Sequence, residues 1–192
     1  TRYWRDWSSD VCSSDLKSFL AKKFGYPVFN ADHEVAELYK KEKKVFLKLK
    51  KVLPKYIFSF PINKKEISKA ILVNEKNLKK IVKIVHIEIR KKMFLFLRKN
   101  KSKKIVVLDI PLLLENKLNR KKDIIIFVKS QKLQINRRLK KRKNFNQQLF
   151  NKFKKLQLPL DYKYRRSNFI IKNDFRDKSV KKDIKAILKK LL

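Results

Sequence analysis

Ile105–Glu115 reads IVVLDIPLLLE. Residues 105–110 are apolar at successive positions, apart from Asp109. A strand with one face in water alternates apolar and polar side chains, whereas a continuous apolar run of this length reads as a strand buried on both faces, as in a parallel sheet. Asp109 then stands near the carboxyl end of its strand, the edge beyond which open α/β sheets bind their ligands. A carboxylate there can orient a hydrated Mg²⁺ or hold an acceptor molecule. The alternative is a turn residue, with Pro111 fixing the backbone. Glu115 is a further turn or helix-start carboxylate.

Outward from this stretch, Asp123–Val128 (DIIIFV) repeats the buried-strand pattern, Asn168–Ile171 (NFII) is a last strand, and Pro27–Ala31 (PVFNA) a short first one. The segments between are helical. Residues 17–24 form a short helix that Gly25 ends from the C′ position. Residues 33–51 place Val35, Leu38 and Tyr39 on one face, and Pro54 and Pro61 bracket a loop. Over 64–98, Ile67, Ile71, Leu78, Ile81, Val85, Ile89 and Met93 recur near the helical period. Residues 132–155 are basic and helical, and 178–192 form the last helix. Strands alternating with helices predict an α/β fold with a parallel sheet.

The chain has 192 residues, enough for one domain and a small lobe. No apolar run reaches the roughly 20 residues of a membrane span, and residues 1–16 lack the pattern of a signal peptide. Cys12 is the single cysteine, which excludes an internal disulfide and points to a reducing, cytoplasmic setting. One Cys and two His make a zinc site unexpected.

The net charge is +37. Nucleic-acid binding is one reading. However, lysine far outnumbers arginine and is spread along the chain, and Lys, Ile, Asn and Phe all have A/T-rich codons. Codon drift explains the charge better, and no specific nucleic-acid partner is expected. Residues 1–16, TRYWRDWSSDVCSSDL, stand apart: they hold both tryptophans and no lysine, and they repeat themselves as WSSDV and CSSDL. They read as foreign, artefactual sequence joined to a truncated chain, not as an acidic arm.

Four groups of residues carry candidate chemistry. Lys17-Ser18 before a helix matches the tail of G-x-x-x-x-G-K-[ST], in which backbone N–H groups wrap phosphates, the lysine reaches the β/γ-phosphates and the hydroxyl holds Mg²⁺. The glycines of that motif are absent, since Gly25 is the chain's single glycine. Asp32 follows the first strand, where a carboxylate can take a proton from an attacking hydroxyl; the alternative is a helix N-cap. His86 and Arg90, four apart, share a helix face and could hold a phosphate or ribose, or be a solvated surface pair. Arg137, Arg138 and Arg142 belong either to a mobile lid that stabilises a transferred phosphoryl group or to a solvated basic face.

Taken together, these pieces resemble the dephospho-CoA kinase family along nearly the whole chain after Lys17. The carrying residues are Gly25-Tyr26-Pro27-Val28, Ala31-Asp32, His86-Ile87-Glu88-Ile89-Arg90, the DIPLLLE of Asp109–Glu115, Gln157-Leu158-Pro159-Leu160-Asp161-Tyr162-Lys163, and Asn173. DIPLLLE is the most specific. The chain departs from the pattern in the missing glycine loop and its preceding strand, in Asn30 where an Asp is frequent, in Leu156 and its lysines where an Arg often precedes Gln157, and in Ile87 for a Pro that should alter the helix locally.

The resemblance implies a P-loop-type parallel sheet with flanking helices, whose first central strand is missing. It implies a kinase core (17–32, 103–131 and 166–192), a helical acceptor region (33–102) and a lid (132–165). It implies ATP-dependent phosphorylation of the ribose 3′-hydroxyl of dephospho-CoA, the last step of coenzyme A biosynthesis. Asp32 would be the general base. Lys17, Ser18, Arg138 and Arg142 would serve ATP, with Mg²⁺ on the Ser18 hydroxyl. His86, Arg90, Asp109, Pro111, Leu112 and Leu113 would shape the acceptor site. The missing loop implies impaired activity. Another small-molecule P-loop kinase and a basic RNA-binding protein are the rivals.

Overall fold

The computed structural model describes residues 19–110, 112–141, 145–175 and 177–192. Lys17, Ser18, Pro111 and Arg142 lie outside the described residues. The chain forms two compact units, one within 1–30, 100–145 and 156–192, the other comprising 31–99 and 146–155.

The first unit is α/β. Helix α1 (19–24) ends at Gly25, whose φ of +61° and N–H bond to the Ala21 carbonyl (3.0 Å) make the left-handed cap that its sequence position predicts. The strands are β1 (Val28–Asn30), β2 (Val107–Asp109), β3 (Ile126–Ser130) and β4 (Phe169–Asn173). Among the described residues they form two parallel pairs, β1 with β2 and β3 with β4. Residues 105–110 are buried at every position, Val106 completely, as a strand covered on both faces requires. Leu20, Val107, Val128, Ile171 and Ile184 meet in one core, so α1, β2, β3, β4 and α9 (Asp177–Leu191) pack together although, among the described residues, the two pairs share no ladder. β3 starts three residues later than the DIIIFV run. The Ile125 N–H instead bonds to the Asn168 side-chain oxygen (2.8 Å), and Asp123 accepts from the Arg120 N–H (2.6 Å), closing a turn before the strand.

The second unit is helical: α2 (Ala31–Lys41), α3 (Lys43–Val52), α4 (Lys64–Val73), α5 (Glu75–Lys99) and α7 (Gln147–Lys154). The seven apolar residues predicted to line one stripe of 64–98 are all buried. Residues 33–51, which their spacing predicts as one helical block, are broken once, and 64–98, predicted as one or two helices, form two. The break at Glu42 falls in the polar run Lys40–Lys44, where no side chain is needed for the core and the helix can change direction freely. The break at Asn74 has local chemistry: the Asn74 side chain accepts from the Lys76 N–H (2.8 Å), and buried Asn77 donates to the Ala70 carbonyl (2.9 Å), satisfying one end of each helix.

Past Asn74, α5 runs without interruption through Ile87, so replacement of the family's proline leaves an intact helix. Buried Glu66 accepts from the Phe58 and Ser59 N–H groups (3.1 and 3.4 Å) and from the Ser59 hydroxyl (2.5 Å), which ties down the loop between Pro54 and Pro61. Each fully buried Leu or Ile here, such as Leu49 and Ile57, contributes about 1.5–3 kcal/mol from burial. The remaining helices are α6 (Lys132–Lys140) and α8 (Leu160–Arg165), both in the α/β unit.

Candidate active site

In the β1–β2 pair the register sets Asn30 against Asp109. Both are the last residues of their strands, so the pair ends at its carboxyl edge in two polar side chains, and Asp109 is buried there. Two residues beyond Asn30 the chain reaches Asp32. This is the second residue of α2 and not the residue before it, so the capping position belongs to Asn30. Asp32 is exposed, and its carboxylate in the first turn is favoured by the positive end of the helix dipole.

Within the helical unit, α2 and α5 are held together by an ion pair between Glu34 and Lys92 (3.1 Å), both half-buried. That contact joins the first turn of α2, which carries Asp32, to α5 two residues past Arg90. His86 is half-buried and Arg90 exposed, on one face. Between them in sequence, Glu88 binds Lys48 (2.9 Å) and Lys91 (3.3 Å), and the Lys48 hydrogen bond holds its carboxyl below the usual range despite partial burial. Glu88 is thus engaged on a different side of α5 from the His86–Arg90 face. Burial pushes the Tyr39 hydroxyl on α2 up to about 12, so it stays protonated.

After β2 the chain makes a tight turn in which Leu112 (φ +59°) and Lys117 (φ +50°) take left-handed conformations that side-chain-bearing residues rarely adopt. Leu112 and Leu113 are buried. The Asn116 N–H and its side-chain amide both donate to the Leu112 carbonyl (3.0 and 2.7 Å).

At the carboxyl end of β3–β4, Ser130 stands against Asn173. Asn173 accepts from the Phe175 N–H (2.7 Å), and Phe175 itself has φ +65°. The Arg138 guanidinium lies over the Phe175 ring, 4.2 Å from its centroid. Arg137 and Arg138 lie in the last turn of α6.

Sequence reasoning missed two features of the site. Lys163 and Glu115 form a buried ion pair (2.5 Å), and Glu115 also accepts from the Leu158 N–H (3.1 Å), 43 residues away. The Arg138–Phe175 stack was equally invisible. Both join segments remote in sequence, so no spacing could reveal them.

Among the described residues no group of three or more His, Cys, Asp or Glu could cage a metal ion. Mg²⁺ needs none, since it is usually held by one or two side chains, water and substrate phosphates. The donor chemistry of Ser18 and Asp109 suits that mode. No helix is long and apolar enough to cross a membrane, among the described residues.

The family model for dephospho-CoA kinase (CoaE) matches residues 12–179. That match reaches into the 1–16 segment, which contains no glycine. The dephospho-CoA kinase of Wolbachia pipientis wMel is 32% identical over 180 residues, covering 91% of this chain and 92% of its own. That of Bartonella quintana is 30% identical over 173 residues, covering 89% and 88%.

Among solved structures, TT1252 from Thermus thermophilus superposes with a TM-score of 0.71 at 20% identity, covering 99% of this chain and 96% of its own. Dephospho-CoA kinase from Campylobacter jejuni gives 0.65 at 17%, with the same coverage. At such identities these two speak for the fold, a parallel α/β core with flanking helices. The sequence matches do not favour the RNA-binding alternative. The sequence matches carry the family itself: this chain belongs to the dephospho-CoA kinases.

Proposed function

We propose that the chain is built to transfer the γ-phosphoryl group of ATP to the ribose 3′-hydroxyl of dephospho-CoA, with Asp32 as general base, in the cytoplasm. The observation that carries this reading is the end of β1–β2. Asp109 is buried at the strand terminus, and exposed Asp32 follows two residues after its neighbour Asn30. A hydroxyl reaching Asp32 loses its proton as the bond to phosphorus forms. His86 and Arg90, on the helix tied to α2, bind the acceptor's ribose or phosphate. Asp109, Pro111, Leu112 and Leu113 also serve the acceptor. Lys17, Arg138 and Arg142 meet the ATP phosphates, and Ser18 contributes its hydroxyl to Mg²⁺, which neutralises charge on the phosphates when bound.

The chain as it stands is impaired in this reaction. A phosphate loop needs glycines so that backbone N–H groups can approach the phosphates closely, and residues 10–16 supply none. We further propose that residues 1–16 are foreign to the fold. The test replaces them with a strand-forming segment and a G-x-x-x-x-G-K-[ST] loop that ends in Lys17-Ser18, and compares both chains in a coupled assay with ATP and dephospho-CoA. The repaired chain is expected to turn over, and the parent to bind dephospho-CoA but turn over at least ~100-fold more slowly, the scale of losing preorganised phosphate donors. Normal turnover by the parent would refute the impairment. A repaired chain that prefers a nucleoside monophosphate or shikimate would refute the acceptor.

A further inference from the structure

The turn after β2 is held in an unfavourable shape. Leu112 and Lys117 both occupy the left-handed region without being glycine, and such conformations persist where surrounding structure over-determines them. The Asn116 bonds to Leu112 lie within the turn and would follow it if it relaxed. The fixed reference lies elsewhere. Glu115 turns inward with 8% of its side chain exposed and meets Lys163, 6% exposed, at 2.5 Å. The same carboxylate oxygen accepts from the Leu158 N–H.

Lys163 sits on α8, and the neighbouring Tyr164 packs edge-on against Phe127 of β3, with ring centroids 6.4 Å apart. The turn after β2 is therefore referenced through Glu115 and Lys163 to the β3 layer, within one compact unit.

A buried ion pair is a poor device for stability alone. Its desolvation cost largely cancels its attraction, and two well-packed apolar side chains often do as well. What it supplies is geometry, because a charge buried in one place tolerates one partner position. We propose that Glu115 and Lys163 are positioning residues. Together they form a strut that locks the 112–117 backbone in its strained form and thereby presents the end of β2 to dephospho-CoA. This inference rests on the acceptor assignment above. Neither residue is assigned contact with substrate.

The test uses the full chain, since acceptor binding does not require the phosphate loop. The double variant Glu115→Gln/Lys163→Met removes both charges while keeping an acceptor for the Leu158 N–H. It is expected to fold with a melting temperature close to the parent's. Calorimetry with dephospho-CoA should show affinity ~10-fold weaker, as when the competent turn is populated only a tenth of the time. Backbone amides of residues 112–118 should exchange faster. Lys163→Arg, which keeps the charge, should retain both affinity and protection.

Parent-like affinity and exchange in the double variant would overturn the strut and leave the acceptor assignment standing. Failure of the parent to bind dephospho-CoA would overturn that assignment instead, and the exchange data would still decide whether the pair holds the turn. Should the double variant not fold, Lys163→Arg decides alone: retained affinity and protection support the strut, and loss of either overturns it.

Discussion

At the carboxyl end of β1–β2 the last paired residues are Asn30 and Asp109; at that of β3–β4 they are Ser130 and Asn173. The strands run parallel within each pair, and both pairs continue through a residue with positive φ, Leu112 in one case and Phe175 in the other. The first end carries a carboxylate, Asp109, buried in its strand, and Asp32 follows Asn30 by two residues in the sequence. The second carries neutral groups in its strands and a cation resting on an aromatic ring, Arg138 on Phe175. A carboxylate edge suits a hydroxyl that must be held and deprotonated. A neutral edge with a movable guanidinium suits a polyanion, because the strands add no repulsion and the cation can leave a weak, partly solvated contact for a phosphate.

The largest effect that would break this contrast is at Asp32. In the repaired chain, Asp32→Asn should lower kcat by about 10²–10⁴-fold, the usual span for a general base, while dephospho-CoA affinity changes little. A steady-state assay at saturating substrates checks it, and an unchanged kcat would remove the carboxylate edge from the chemistry.

Next come two substitutions that should act on opposite substrates. Arg138→Ala should lower kcat/KM for ATP by about 10²-fold and leave dephospho-CoA binding intact. Asp109→Asn should weaken dephospho-CoA binding by about 10-fold, near the value of one hydrogen bond to a charged group, with the KM for ATP unchanged. Titrations of each substrate against each variant sharpen the division of labour. Crossed effects would erase it.

The smallest effect is on stability, at the opposite end of β3. Burial raises the Asp123 pKa, outweighing the Arg120 N–H that lowers it. The folded state therefore favours the neutral acid. Its contribution to folding is fully present below the ordinary carboxyl value of 3.8 and is lost as pH rises through the raised folded value. Asp123→Asn should raise Tm at pH 7 by about 1–3 °C, and the gain should vanish near pH 3. Thermal melts at the two pH values decide it.

Much of this was legible in the sequence. The stripe from Ile67 to Met93 is buried as its period requires, because a helix can satisfy its own backbone and needs only one apolar face. IVVLDI is covered on both faces, as its unbroken apolarity requires. Gly25 caps α1 because only glycine takes φ +61° without strain. The break at Glu42 was not legible, and for 64–98, read as one or two helices, the place of the break at Asn74 was not, since polar side chains within a periodic block give no sign of which one will bond to the backbone instead.

By itself, then, the sequence determined the α/β class, the helical region, the family and the carboxylates at the strand ends. All of these follow from local period and ordered motifs. Only the tertiary structure decided that Asn30 stands opposite Asp109, that Arg138 lies on Phe175, and that Glu115 meets Lys163 out of water. Those pairings depend on strand register and on side chains brought together from distant parts of the chain. Distance along a sequence says nothing of distance in space until the core has packed.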